Sequence, residues 1–122
     1  VLVAVGPRAA KDQVKQLQDN GCEIWHSSTD QSSQMLIDLA HEFGARQMTN
    51  VLVEGGTHVL ESCFKADIID EVWAFLAPKL LDVNAPSLHL REILSKTRVE
   101  AIDQTGGDLF VRGLLRHDLL GR

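Results

Sequence analysis

The sequence predicts an α/β fold: a mixed sheet, parallel first and antiparallel last, with helices on both faces. Three observations carry this expectation. Up to Lys65, short β-branched runs alternate with segments of helical periodicity. Glycine-containing turns separate these segments. After Asp70 the rhythm changes to strand-like runs, the last two flanking Thr105-Gly106-Gly107-Asp108.

Val1 to Val5 is closed by Gly6 and Pro7, the pattern of a strand buried on both faces. From Ala9 to Gln18 the apolar positions Ala10, Val14 and Leu17 recur at helical spacing, and Asn20-Gly21 supplies a left-handed stop. Cys22 to His26 reads as a second strand, and the polar run Ser27 to Ser33 as a loop that feeds a second helix, with Ser28, Ser32 and Ser33 as loop or helix-cap residues. Leu36, Leu39, Ala40 and Phe43 form the inner face of a second helix, which Gly44 is expected to end. Asn50 to Glu54 is expected as a third strand, turned by Gly55-Gly56 into a third helix from Thr57 to Lys65 with Leu60, Cys63 and Phe64 inward. Such alternation implies parallel strands with right-handed crossovers. Glu71 to Pro78 is a further strand, followed by a loop with Asn84 and Pro86 and a short apolar piece around Leu88 to Leu94. Thr97 to Ile102 and Leu109 to Leu115 then make an antiparallel hairpin.

The 122 residues suit one domain with ordinary globular composition, 44% hydrophobic and 24% charged. A net charge of −5 with scattered basic residues argues against nucleic-acid binding. Any anionic ligand must be met locally, by backbone N–H groups or a few basic side chains. Cys22 and Cys63 are too few and too far apart for a disulfide framework, so reduced thiols and a cytoplasmic location are expected. No apolar run approaches the ~20 residues that span a bilayer, and no membrane association is expected. The start at Val1, inside a strand-like run, leads to the expectation of a longer parent chain.

Chemistry converges on the strand, Glu54-Gly55-Gly56 and helix. In open α/β sheets, ligands lie beyond the carboxyl ends of parallel strands, where loops enter helix N-termini. Two glycines let a diphosphate approach the backbone, and the amides of Thr57, His58 and Val59 are expected as unsatisfied donors at the positive helix end. Glu54 would present its carboxylate to sugar hydroxyls or an amine in the same cleft. Against this stands the plainer reading of a tight turn beside a solvated carboxylate, since a short glycine motif is weak by itself.

The longer string is more specific. Val51-Leu52-Val53-Glu54-Gly55-Gly56, then Leu60, Phe64 and Ala66, then Ile69-Asp70-Glu71-Val72, then Phe75-Leu76-Ala77-Pro78-Lys79-Leu80-Leu81 closely resembles the reductase domain of the bifunctional riboflavin-biosynthesis deaminase/reductase. The resemblance implies a three-layer, dihydrofolate-reductase-like fold. It also implies an NADPH-dependent oxidoreductase that reduces the ribosyl group of 5-amino-6-(5-phosphoribosylamino)uracil to ribityl. By position it gives Glu54 a substrate contact. It assigns Gly55, Gly56, Thr57, His58, Val59, Leu60, Glu61 and Ser62 to the cofactor, and no catalytic residue. The family's earlier strand, with its lysine and substrate-phosphate loops, has no counterpart here. Residues 1–122 are therefore expected to be one partial reductase domain, with negligible turnover alone. Asp67 and Asp82 stand where the family often has glycine, and aspartate tolerates left-handed turns. The resemblance further implies a homodimer joined through the carboxyl-terminal sheet, with Trp73, Leu109 and Val111 as candidate interface residues.

Other candidates carry less. His26, His41, His58, His89 and His117 lack metal-ligand spacing; His58 in the first helical turn could approach a phosphate, but reads first as an exposed helix-start histidine. Asp70 and Glu71, adjacent at a strand start, point apart and read as structural, and Lys79 reads as a solvated strand-end charge. Two rivals remain: a non-catalytic nucleotide-binding module, and a related reductase acting on another small heterocycle.

Overall fold

The structure is a computed structural model, and it describes residues 1–78 and 90–115. The order is β1 (Leu2–Val5), α1 (Lys11–Asp19), β2 (Glu23–His26), α2 (Ser32–Ala45), α3 (Thr57–Lys65), β3 (Glu71–Leu76), α4 (Leu90–Ser95), β4 (Thr97–Thr105) and β5 (Asp108–Leu115). Pairing is parallel first and antiparallel last, as expected, and falls into two sheets: β1-β2, and β3-β5-β4. The chain divides into two compact units, Val1–Ile68 and the part from Ile69 onward. The expected roles of Lys79, Asp82, His89 and His117 lie outside the described residues.

In the first unit, β1 and β2 run parallel with Leu2 opposite Glu23 and Val5 opposite His26. α1 packs on β2, while α2 packs against α3. All three helices end in the same way. Gly21 and Cys22 donate back to Gln18 and Leu17, Gln47 and Met48 to Gly44 and Phe43, and Asp67 and Ile68 to Phe64 and Cys63. This double return is the Schellman closure, which requires a left-handed residue after the helix. Those residues are Gly21 (φ 80°), Gln47 (φ 60°) and Asp67 (φ 54°). Asp67 thus adopts the turn geometry expected of it. Gly44, expected to end α2, lies inside its last turn; the closure falls three residues later, on Gln47.

Two further expectations are corrected. Residues 50–54 form no strand, because no backbone among the described residues pairs with them, and Val51 and Leu52 are exposed. Ala40 is exposed, so the inner face of α2 is carried by Leu36, Leu39 and Phe43, each half-buried. Ser28 lies in the loop before α2, and Ser32 and Ser33 open the helix. Its N-cap is Gln31, whose amide donates to the Thr29 hydroxyl, while Ser27 is buried and its hydroxyl exchanges hydrogen bonds with Thr29.

In the second unit, β3 and β5 pair from Glu71 opposite Leu114 to Leu76 opposite Leu109. Gly106-Gly107 makes the two-residue turn between β4 and β5, with Gly106 at φ 64°. A bulge lies between Val99 and Ala101. Opposite residues share a face, so Trp73, Phe75 and Phe110 lie together: Phe110 meets Trp73 edge-on at 5.9 Å and Phe75 at 4.9 Å. Leu109 and Val111 lie opposite Leu76 and Ala74, on the other face. The three candidate interface residues therefore do not form one surface. α4 overlaps the apolar piece expected around Leu88 to Leu94 and joins β4 through the Thr97 hydroxyl, which donates to the Ile93 carbonyl at 2.7 Å.

Candidate functional site

The glycine turn is built by what it lacks. Gly56 is the N-cap of α3 with φ −71° and ψ 166°, a conformation open to any residue, so the backbone does not demand glycine there. A Cβ on Gly56 would meet nothing within 4 Å, and one on Gly55 would only touch the Val59 side chain, at 3.5 Å. Neither glycine is imposed by packing. Together they leave bare backbone facing open space at the start of a helix.

The first turn has no side-chain cap. The Gly56 carbonyl accepts from the Val59 amide at 3.1 Å and the Leu60 amide at 3.3 Å. This corrects the expectation for Val59, whose amide is already used. The amides of Thr57 and His58 have no hydrogen-bond partner among the described residues. Two convergent donors, the positive end of a nine-residue helix and unobstructed space form a set that suits a phosphate oxygen.

The remaining candidates divide by position. Glu54 is exposed and makes no hydrogen bond or ion pair among the described residues, which leaves its carboxylate available beside the turn. His58 is exposed and Thr57 half-buried, both within the first turn. Leu60, Glu61 and Ser62 are half-buried in the body of the helix, where Glu61 reaches Lys65 at 3.8 Å. Beyond His58, contact with a ligand falls to side chains, because the amides are committed to the helix. The site stays anchored by Cys63, 1% exposed, and Ala66, 7% exposed, on the inner side of α3. Burial pushes the Cys63 thiol above its ordinary range, so it is an inert packing group rather than a nucleophile.

Other polar groups are structural. Arg46 bridges the end of α2 to β2, with its guanidinium 2.6 Å from Glu23 and 2.7 Å from Glu42. The hydrogen bond from Arg46 holds the Glu23 carboxyl below its ordinary value. Glu71 opens β3, where it accepts from the Trp73 indole and lies 3.7 Å from Arg112. Gly113, not singled out by the sequence, is fixed by close approach: a Cβ there would collide with the Thr97 side chain and come within 2.9 Å of the Arg98 carbonyl. Its only sequence signal is a glycine inside a strand-like run.

A parallel β-α-β beginning, a helix N-terminus without a side-chain cap and an antiparallel close define an α/β chain. Residues 1–111 match the RibD C-terminal domain, and the chain belongs to that family. It is 32% identical over 81 residues to riboflavin biosynthesis protein RibD of Haemophilus influenzae, covering 62% of this chain and 22% of that protein. The RibD of Chlamydia muridarum is 31% identical over 90 residues, covering 72% of this chain and 24% of its own length. The chain thus spans about a quarter of the curated relatives it matches. Acinetobacter baumannii RibD superposes with a TM-score of 0.64 at 20% identity, over 95% of this chain and 31% of that one. The fold is accordingly the dihydrofolate-reductase-like one.

Proposed function

We propose that this chain carries the nucleotide-binding part of a reductase of riboflavin biosynthesis, which uses NADPH to reduce the ribosyl group of 5-amino-6-(5-phosphoribosylamino)uracil to ribityl. The observation that carries this reading is the pair of amides, Thr57 and His58, that have no partner among the described residues, before open space at Gly56, in a chain of the RibD C-terminal family.

In this reading the two amides hold a cofactor phosphate, and the α3 dipole favours its charge. Gly55 and Gly56 let the phosphate reach the backbone, and Thr57, His58, Glu61 and Ser62 offer side chains to the rest of the cofactor. Glu54 accepts hydrogen bonds from substrate hydroxyls or the amine, which orients the sugar. When bound, NADPH supplies the hydride that the anomeric carbon receives. Residues 1–122 act as one partial domain in the cytoplasm and pair as a homodimer.

Calorimetric titration with NADPH and NADH, for the parent chain and Gly56→Asp, tests this. Aspartate is a favourable N-cap, so the variant keeps α3 while placing a carboxylate where the phosphate would sit. Saturable NADPH binding lost in the variant supports the reading. A folded parent that binds neither nucleotide contradicts it.

A further inference from the structure

The end of α1 carries chemistry that the proposed nucleotide site does not use. An asparagine followed by glycine is open to attack from within, because the glycine nitrogen meets no side chain of its own residue on the way to the asparagine amide carbon. Asn50 precedes the β-branched Val51 and Asn84 precedes Ala85, so Asn20-Gly21 is the pair of this form. Both residues are exposed, and a Cβ on Gly21 would meet nothing within 4 Å, so water reaches the pair freely.

The fold holds this pair shut. The Asn20 side-chain amide donates to the Gln16 carbonyl at 2.8 Å, and the Gly21 amide donates to the Gln18 carbonyl at 2.9 Å. Leaving group and nucleophile are thus both engaged by the closure of α1. Asn20 has ψ 11°, which sets the Gly21 nitrogen beside the Asn20 backbone nitrogen. Closing a five-membered ring needs the Gly21 nitrogen beside Cβ instead. The peptide must therefore swing, which breaks both hydrogen bonds and draws Cys22 away from Leu17.

We propose that Asn20 is a deamidation site gated by the C-terminal closure of α1. When the last turn opens, the Gly21 nitrogen gives its proton to hydroxide and attacks the Asn20 side-chain carbonyl carbon. A C–N bond forms, the bond from that carbon to Nδ2 breaks, and ammonia leaves after taking a proton from water. Water then hydrolyses the succinimide at either carbonyl, which leaves aspartate or isoaspartate at position 20. Neither product rebuilds the closure. Aspartate lacks the N–H that reaches Gln16, and it adds a carboxylate next to Asp19 at the negative end of a helix whose last turn has no basic residue. Isoaspartate adds a carbon to the backbone and displaces Gly21 and Cys22 from Gln18 and Leu17. Each event loosens α1 just before Glu23, where β2 begins its pairing with β1. The inference is independent of the nucleotide reading.

Incubation of the whole chain at mildly alkaline pH, in buffer and in urea, tests the site by peptide mapping and enzymatic methylation of isoaspartate. Conversion should be led by Asn20, ahead of Asn50 and Asn84, and should run about tenfold or more slower in buffer than in urea. Gln16→Gly weakens the last turn but keeps the carbonyl at position 16 and the Asn20-Gly21 pair. It should raise the rate in buffer about two- to fourfold, leave the rate in urea unchanged, and speed amide exchange at Gly21 and Cys22 by the same factor. Conversion led by Asn50 or Asn84 overturns the site. Equal rates in buffer and urea overturn the gate, as does a Gln16→Gly chain that exchanges faster without converting faster. A chain that stays unconverted in buffer, with and without Gln16→Gly, while converting in urea overturns opening of α1 as the route.

Discussion

Gln47 and Asp67 close helices with left-handed backbone that an L side chain adopts at a cost of about 1–2 kcal/mol. Gln47→Gly should therefore raise stability in urea unfolding by about 0.5–1 kcal/mol net of glycine's greater unfolded-state entropy. Asp67→Gly should gain less, because aspartate tolerates this geometry and Asp67 is already engaged by a partner. The two cysteines should also separate. Cys22 is half-exposed and should react with a thiol reagent in the native state, whereas Cys63 should react only on unfolding. Since burial raises the folded value of the Cys63 thiol, its effect on stability has a defined sign. Nothing is lost below the ordinary thiol value; stability falls as pH rises from there through the folded value, and Cys63→Ala should remove that alkaline decline. Glu23 acts oppositely. Its folded value is lowered by Arg46, so its contribution is present above the ordinary carboxylate value and lost as pH falls through the folded one; Arg46→Ala should flatten the acid limb of a stability profile.

Elements were legible where local chemistry decides them. α3 runs from Thr57 to Lys65 as its apolar spacing predicts, and Gly106-Gly107 makes the expected hairpin. The end of α2 was not legible, because Gly44 carries the usual signal while the closure falls on Gln47. Residues 50–54 show a different limit. A period-free apolar run states that a strand is possible, but only a paired neighbour makes one. Gly113 belongs at this scale too. It lets β4 cross close to β5 beside the bulge, and Gly113→Ala should cost about 1–3 kcal/mol by overpacking against Thr97 and the Arg98 carbonyl. Circular dichroism during thermal unfolding would measure it, and an unchanged midpoint would refute the close approach.

Across the molecule, apolar surface exceeds what the described residues cover. Cys63, Ala66 and Ile93 are the buried apolar side chains among them, while Trp73 and Phe75 are 59% and 64% exposed on one sheet face. That aromatic surface fits the proposed homodimer, whereas Leu109 and Val111 face away from it. Sedimentation should show a dimer that Trp73→Asp shifts toward monomer, and a monomeric parent would contradict the pairing. The candidate site was legible in the sequence as a turn and a helix start. Which amides stay free was not, because the bond from Val59 to the Gly56 carbonyl depends on how the first turn closes.

A backbone-amide NMR titration with NADPH would show whether the start of α3 receives a nucleotide phosphate. The Thr57 and His58 amides should move furthest and saturate together, and Gly56→Asp should abolish both shifts while α3 stays intact. Saturable binding whose largest shifts fall elsewhere, with Thr57 and His58 unmoved, would contradict the proposal.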